Sequence, residues 1–123
     1  MDDGGGLRFF TCTATVLRNV IARNRSGSDG GGLKASHLPN LFVDNEIVDN
    51  DAVWAGGGVE LDNDSSVIRG GLIARNHAGV GGGIHAMLAP WAGATIEDTA
   101  IVDNVAVRGG GILLNDNFQP FAL

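Results

Sequence analysis

Gly30-Gly31-Gly32-Leu33 is one of five copies of a phrase, three glycines followed by an aliphatic residue, that decides the fold of this chain. The other copies are Gly4-Gly5-Gly6-Leu7, Gly56-Gly57-Gly58-Val59, Gly81-Gly82-Gly83-Ile84 and Gly109-Gly110-Gly111-Ile112. Their first glycines lie 26, 26, 25 and 28 residues apart. Self-similarity at a period of about 20–50 residues is typical of a solenoid, in which each repeat stacks on its neighbours.

A second phrase recurs in register with the first. It reads Ile-Ala-Arg-Asn or Ile-Val-Asp-Asn, and it ends at Asn24, Asn50, Asn76 and Asn104. After each glycine triplet the apolar residues alternate, as in Val59 and Leu61, and no window keeps the 3.6-residue period of a helix. Each copy is therefore predicted to hold about three short strands separated by turns, which is one coil of a parallel β-helix.

The predicted fold is all-β: a right-handed, single-stranded parallel β-helix of about four and a half coils of 25–28 residues, with no α-helix. Residues 1–123 are assigned to one β-helix segment, with coils at 4–29, 30–55, 56–80 and 81–108 and a partial coil at 109–123. We expect this segment to be part of a longer solenoid. Coil four carries three extra residues near Leu88-Ala89-Pro90-Trp91, which should form an outward loop.

Stacked coils bring the same position of each repeat into a column with a spacing of about 4.8 Å. Asparagine tolerates the left-handed conformation, and its amide can bond to the same amide one coil away, so the four asparagines are predicted to form a ladder. The residue before each asparagine alternates in charge. Opposite charges on neighbouring strands stabilise by about 0.2–1 kcal/mol per pair, so this second column is predicted to fix the register between coils. It consists of Arg23, Asp49, Arg75 and Asp103.

The repeat resembles that of polymorphic outer membrane proteins, which autotransporter-type passenger domains carry. The pattern G-G-[A/G]-[I/L/V], paired with [F/I]-x-x-N-x-[A/S], is matched by Gly31-Gly32-Leu33, by Ile47-Val48-Asp49-Asn50-Asp51-Ala52 and by their equivalents in every coil. More broadly, the chain looks like the right-handed parallel β-helix superfamily that includes pectate lyases. The third position, usually alanine in the family, is glycine here. The resemblance implies an exported or cell-surface setting and a role in adhesion or display, but its motif residues build the coil rather than a site.

Composition excludes several kinds of partner. The formal charge of −6 argues against nucleic acid and anionic membranes, which both need a basic surface. The stretch 79–96 lacks charged residues, but it contains a glycine triplet and Pro90, so no membrane insertion is predicted. The start Met1-Asp2-Asp3-Gly4 has neither the basic nor the apolar region of a signal peptide, so this chain is expected to carry none.

Any chemistry is expected on the outward positions that follow the glycine triplets, because β-helix carbohydrate enzymes carry their reactive groups on the outer face of one sheet. A carboxylate one coil from a histidine or lysine could act as a general acid and base. The alternative is a solvated face with favourable charge pairs between strands. The candidates are Lys34, Glu60, His85 and Asp62.

Two further candidate sites involve tryptophan and paired aspartates. Trp54 and Trp91 fall at coil edges or in loops, where an exposed indole could stack on a sugar, although partial burial is an equal alternative. Asp62 and Asp64 could bind Ca²⁺ weakly, but such runs are usually solvated turns. No other metal or cofactor is predicted.

These patterns predict a structural, adhesive or glycan-binding segment of an exported or cell-surface protein, with no catalysis of its own. Its partner would be a polysaccharide or a cell-surface glycan. The alternative is a fragment of a carbohydrate-active enzyme, a polysaccharide lyase or glycoside hydrolase acting on an acidic or plant-type polysaccharide. Uncapped coils present unpaired strand edges, so end-to-end self-association is also expected.

Overall fold

The computed structural model describes residues 3–88 and 93–116, and within these ranges the chain forms short strands and no helix. Accordingly, the described part of the chain has no helix with the length and apolar character needed to cross a membrane. The strands are β1 (Leu7–Phe10), β2 (Thr15–Leu17), β3 (Val20–Ala22), β4 (Arg25–Ser26), β5 (Leu33–Ser36), β6 (Leu41–Val43), β7 (Glu46–Val48), β8 (Asp51–Ala52), β9 (Val59–Asp62), β10 (Val67–Arg69), β11 (Leu72–Ala74), β12 (Ile84–Leu88), β13 (Thr95–Glu97), β14 (Ala100–Val102) and β15 (Ile112–Asp116).

Each strand pairs in parallel with the equivalent strand of the next repeat rather than with its neighbour in sequence. The first sheet has the order β1-β5-β9-β12-β15, the second β2-β6-β10-β13 and the third β3-β7-β11-β14, while β4 and β8 form a short fourth sheet. A chain that visits three sheets in turn and returns to the first after each repeat winds as a solenoid. The structure thus confirms the predicted all-β parallel solenoid, with about four turns.

The core is a set of apolar columns enclosed by the three main sheets. Leu33, Val59 and Ile84 lie in register on the first sheet, and all three are fully buried. Phe42 of β6 projects from the second sheet and contacts the ring of Phe9 edge-on at 5.7 Å. Because the same position of each coil supplies the same kind of side chain, burial is continuous along the axis.

The glycine triplets form the corners at which the chain enters the first sheet. Two positions of each triplet require glycine, for different physical reasons. Gly30 has a φ of +66°, a left-handed conformation that side chains rarely adopt. A Cβ on Gly31 would lie 2.3 Å from the carbonyl oxygen of Gly57 in the next coil. The corner therefore combines a left-handed turn with a backbone approach that excludes any side chain.

The four asparagines that end the second phrase form a continuous hydrogen-bonded column, here called the asparagine ladder. Asn50 Oδ1 accepts from the backbone N–H of Asn24 at 2.9 Å and from its amide at 3.1 Å. Asn50 Nδ2 donates to the Ile21 carbonyl at 2.9 Å and to Asn76 Oδ1 at 3.0 Å. The same arrangement links Asn76 to Asn104.

The left-handed conformation expected at these asparagines lies instead on the residue before each of them. Arg23, Asp49, Arg75 and Asp103 have φ angles of 57°, 57°, 55° and 54°. The physical reason is that the asparagine side chain must point inward to reach the next amide. The preceding residue therefore makes the turn, and its side chain points to solvent, where a long or charged group is tolerated.

One bidentate ion pair forms in the alternating column. Arg75 donates from Nε to Asp49 Oδ1 at 2.8 Å and from Nη2 to Asp49 Oδ2 at 3.1 Å. This hydrogen-bonded pair lowers the pKa of Asp49 and raises the pKa of Arg75. Among the described residues, Arg23 and Asp103 form no ion pair with the column. In the described part of the column, the alternating charges are therefore in direct contact only between Asp49 and Arg75, and the other neighbouring charges interact at longer range.

The predicted outward loop of coil four falls mostly on residues 89–92, which lie outside the described residues. On either side of it, β12 ends at Leu88 and β13 begins at Thr95.

Candidate functional site

The first sheet aligns three of the predicted site residues in one row, here called the charged column: Lys34 on β5, Glu60 on β9 and His85 on β12. Lys34 is the direct partner of Glu60 in the strand pairing, and Glu60 is the partner of His85. Asp62 lies two residues beyond Glu60 on the same strand and pairs with Ser36 and Met87. The structure thus brings the four candidates onto one sheet, as their spacing predicted.

The charged column is buried, so the expectation of a solvated face is wrong for these residues. Lys34, Glu60 and His85 expose only 8%, 3% and 2% of their surface. The cause lies in the glycine corner before each strand, which folds back against the column. A Cβ on Gly81 would lie 2.6 Å from the Cβ of His85, so the corner packs directly against the base of this side chain.

Glu60 and His85 form a bonded pair whose outer end is held by Asn115 of β15. His85 Nδ1 lies 2.9 Å and 2.8 Å from the two carboxylate oxygens of Glu60. Asn115 Nδ2 donates to His85 Nε2 at 3.0 Å. A ring nitrogen that accepts a hydrogen bond carries no proton, so this arrangement corresponds to a neutral imidazole with its proton on Nδ1, directed at Glu60.

Lys34 is paired in the other direction along the axis. Its Nζ lies 3.2 Å from Asp29 Oδ2 and 3.3 Å from Asp3 Oδ2. Burial acts to lower the pKa of Lys34, but the two carboxylates outweigh it and the net pKa is raised. For Asp3, burial acts to raise the pKa, while hydrogen bonds with Ser28 and Lys34 and the charge of Lys34 bring it below its usual value. Lys34 is therefore a charged group compensated by its neighbours.

The pKa values of Glu60 and His85 are both raised. Burial raises the pKa of Glu60 to about 7, against the opposing hydrogen bond and charge of His85. Burial alone would lower the pKa of His85, but its hydrogen bond to Glu60 and the negative charge there raise it. The pair can hold one proton between its two members, but both are closed off from solvent.

The two candidate calcium ligands differ in their surroundings. Asp62 is half-buried, whereas Asp64 is fully buried and accepts a hydrogen bond from the backbone N–H of Ser66 at 2.6 Å. Burial raises the pKa of Asp64, and its Oδ2 has no hydrogen-bond partner. Its expected place in a solvated turn is thus wrong. Within residues 3–88 and 93–116, no group of three or more His, Cys, Asp or Glu residues could hold a metal ion.

Trp54 is the predicted ligand contact that lies within the described residues. It follows β8 at the corner before a glycine triplet, and it is 66% exposed. Its backbone is fixed on both sides, since its N–H donates to the Ser28 carbonyl and its carbonyl accepts from the Val80 N–H, each at 2.9 Å. Trp91 lies outside the described residues. Most of the Trp54 surface is therefore exposed, and the smaller part is buried.

Sequence reasoning missed the partners of the charged column. Asp3 and Asp29, which bind Lys34, each come directly before a glycine triplet, so their shared position was readable from the aligned repeats. Asn115 lies on β15 opposite Met87, and nothing in the sequence indicated that its amide would reach diagonally to His85 on the neighbouring strand β12.

Comparison of the chain with protein-family models, with curated proteins and with solved structures finds no significant match. The class of protein is therefore set by the fold alone: a parallel β-solenoid with a buried, internally paired charged column on one sheet.

Proposed function

We propose that this solenoid is a structural and adhesive segment of an exported or cell-surface protein, and that it binds glycans without changing them chemically. The observation that carries the proposal is the closure of the charged column. Glu60 and His85, the acid–base pair on which catalysis would depend, bond to each other and expose 3% and 2% of their surface. A substrate would have to displace the corner of the coil to reach them.

Trp54 supplies the binding surface in this proposal. An indole ring offers a flat apolar face for the C–H groups of a sugar and an N–H for its hydroxyls. Gly79 of the following coil lies against the Trp54 backbone, where a Cβ would be 2.8 Å from the Trp54 carbonyl oxygen. A rigid backbone beneath an exposed ring reduces the entropy lost on binding.

The test combines binding and turnover. On an array of acidic and neutral glycans, Trp54→Ala should weaken binding about tenfold or more, as for loss of an aromatic anchor. Val107→Ala, which truncates a side chain that is 89% exposed, is the matched control and should leave binding unchanged. Polygalacturonate and related glycans should not be degraded. Turnover that disappears in Glu60→Gln and His85→Ala would contradict the non-catalytic function.

A second candidate function is that of a carbohydrate-active enzyme fragment, a polysaccharide lyase or glycosidase. The observation in its favour is the pKa of Glu60, raised to about 7, because general acids and bases work best near the ambient pH. Calcium held by Asp62 and Asp64 would be its cofactor. The turnover assay repeated with Ca²⁺ and with a chelator separates this candidate from the first.

We also infer that the chain belongs to the right-handed, pectate-lyase-like β-helix superfamily, near the polymorphic outer membrane protein repeats. The inference is supported by the parallel solenoid together with the two repeated phrases. An extracellular or cell-surface location of the parent protein rests on the same resemblance. A crystal structure with left-handed winding would contradict it.

Besides a glycan, we propose a second copy of this chain as a partner, which would associate end to end with the first. In the described part of the chain, β2 and β3 have unpaired edges at one end, and β13 and β14 at the other. The charges of the first and fourth coils also differ. Light scattering should show concentration-dependent assembly that weakens in high salt, and a strictly monomeric chain at high concentration would exclude it. The first coil carries Arg8, Arg18, Arg23, Arg25 and Asp29 and is net positive, and the fourth carries Glu97, Asp98, Asp103 and Arg108 and is net negative.

A further inference from the structure

Phe10 is an exposed aromatic side chain at a position where the other coils carry none. It pairs in the first sheet with Ser36, and the next residues of that column are Asp62 and Met87. Phe10 is 56% exposed, although Phe9 beside it packs against the core. A phenylalanine held on the solvent side of a strand loses the benefit of burial, so packing does not account for it.

Two side chains, those of His37 and Arg8, contact the ring of Phe10. His37 meets it edge-on, with ring centroids 5.5 Å apart and planes inclined by 80°. The Arg8 guanidinium carbon lies 5.7 Å from the ring centroid. Arg8 and Phe10 are two residues apart on β1 and therefore project from the same face of the strand. The ring is thus oriented by its neighbours while a large part of it stays open to solvent.

Arg8 keeps most of its hydrogen-bonding capacity free. Within the described residues, its one ion pair is with Asp3 at 3.9 Å, and its side chain is 50% exposed. The same carboxylate oxygen of Asp3 lies closer to Lys34, at 3.3 Å. A guanidinium has five N–H donors in a planar fork that matches a carboxylate, and a single distant partner leaves that fork available.

We propose that Phe10, Arg8 and His37 form a binding site for a sugar that carries a carboxylate, as in an acidic polysaccharide. The apolar face of the pyranose ring stacks on the exposed part of Phe10, and its carboxylate takes two hydrogen bonds from Arg8. His37 is a positioning residue that holds the Phe10 ring edge-on. This site rests on the proposed glycan-binding function and specifies the class of ligand. It is separate from Trp54, because Arg8 and Phe10 lie on β1 and Trp54 lies at a corner after β8.

Binding of the full chain to an oligogalacturonide and to its methyl-esterified, uncharged counterpart tests the site, by calorimetry at low and at physiological salt. Phe10→Ala should weaken binding of both ligands about tenfold, because the aromatic anchor is lost. Arg8→Ala should remove the preference for the acidic ligand, and Arg8→Lys should restore only part of it, because an ammonium lacks the planar fork.

Two matched controls come from the same coil. Leu17→Ala truncates another exposed apolar side chain, and Arg18→Ala removes another exposed arginine, and each should change the affinity less than twofold. Equal losses from Arg18→Ala and Arg8→Ala would overturn the site in favour of unspecific attraction to a basic coil. If polyglutamate competed as well as the oligogalacturonide, the ligand of the site would be an acidic peptide and not an acidic sugar.

The failure of this site can be told from the failure of the proposed function. If Phe10→Ala binds both ligands as the wild type does while Trp54→Ala does not, the site is wrong and glycan binding stands. If the wild type binds no glycan at all, both are wrong.

Discussion

The asparagine ladder and the charged column are both buried rows of polar side chains with one member per coil, but they satisfy their members in opposite ways. In the ladder, every coil contributes the same group, and the two middle amides, Asn50 and Asn76, each accept from the asparagine before and donate to the one after. In the charged column every coil contributes a different group. Lys34 depends on two aspartates outside the column, and His85 depends on Glu60 and on Asn115.

The difference shows what a solenoid can repeat. An amide complements its own copy, so an asparagine can recur without limit and is independent of pH. A charged group repels its own copy, so the charged column needs alternating partners, and its strength changes with protonation. The asparagine ladder therefore stabilises the coil at any pH, whereas the contribution of the charged column to stability depends on pH.

Asn50→Ala should have the largest effect on stability. It removes the acceptor for two groups of Asn24 and the donor to Ile21 and Asn76, all within a buried site. Leaving several buried polar groups unpaired should lower the free energy of unfolding by about 3–5 kcal/mol, measured by urea denaturation. Asn24→Ala, at the first coil, should lower it by less. Equal losses at both positions would show that the ladder does not act through bonds on both sides.

The pH dependence of the charged column should be the next largest effect. The pKa of Glu60 rises from 4.5 to about 7 on folding, so the folded chain binds more protons between these values. Its contribution is complete below about pH 4.5 and is lost as the pH rises through 7, which lowers the free energy of unfolding by on the order of 3 kcal/mol. The raised pKa of His85 acts in the same direction above pH 6.5.

Glu60→Gln should flatten this slope, because glutamine does not titrate and the support for the raised pKa of His85 goes with the carboxylate. The raised pKa of Asp64 contributes equally to both chains and leaves the difference intact. Asn50→Ala should keep the wild-type slope at a lower stability. Denaturation of all three chains from pH 4.5 to 8 measures this. A slope that persists in Glu60→Gln would locate the pH dependence elsewhere.

Arg75→Ala should have the smallest effect. Its bidentate pair with Asp49 is on the surface, where an exposed ion pair contributes little and is screened by salt. Its melting temperature should lie slightly below that of the wild type in low salt and should equal it in 1 M NaCl. Arg23→Ala, which removes an arginine of the same column without an ion pair, should show no change in either condition. A loss that survives 1 M salt would mean that Arg75 acts by packing.

The repeat made the parallel solenoid and the residues of each column predictable, because equivalent positions must stack. It placed Lys34, Glu60 and His85 in one row correctly, but it assigned them to solvent. Alternation along a strand tells the two faces apart, yet it does not tell what lies against the outer face. Here the chain entering the sheet at Gly30 and Gly81 covers that face, and this depends on how the corner folds back in three dimensions.

The positions of the left-handed residues were also not predictable from the repeat alone. Because asparagine tolerates the left-handed conformation, the sequence indicated that the asparagine at the end of the Ile-x-x-Asn phrase would adopt it. Hydrogen bonding along the axis requires Asn50 to point inward, so Asp49 takes the turn. A local preference was overridden by a bond to a residue 26 positions away.

The asparagine ladder also gives the molecule a direction. In each described step, the side-chain carbonyl of one asparagine faces the coil before it and receives that coil's amide, so the carbonyl dipoles point the same way along the axis. Like aligned peptide groups in an α-helix, they add rather than cancel. The two ends of the stack are consequently unequal in potential, and any coil that joins it must arrive with its amides in the same sense.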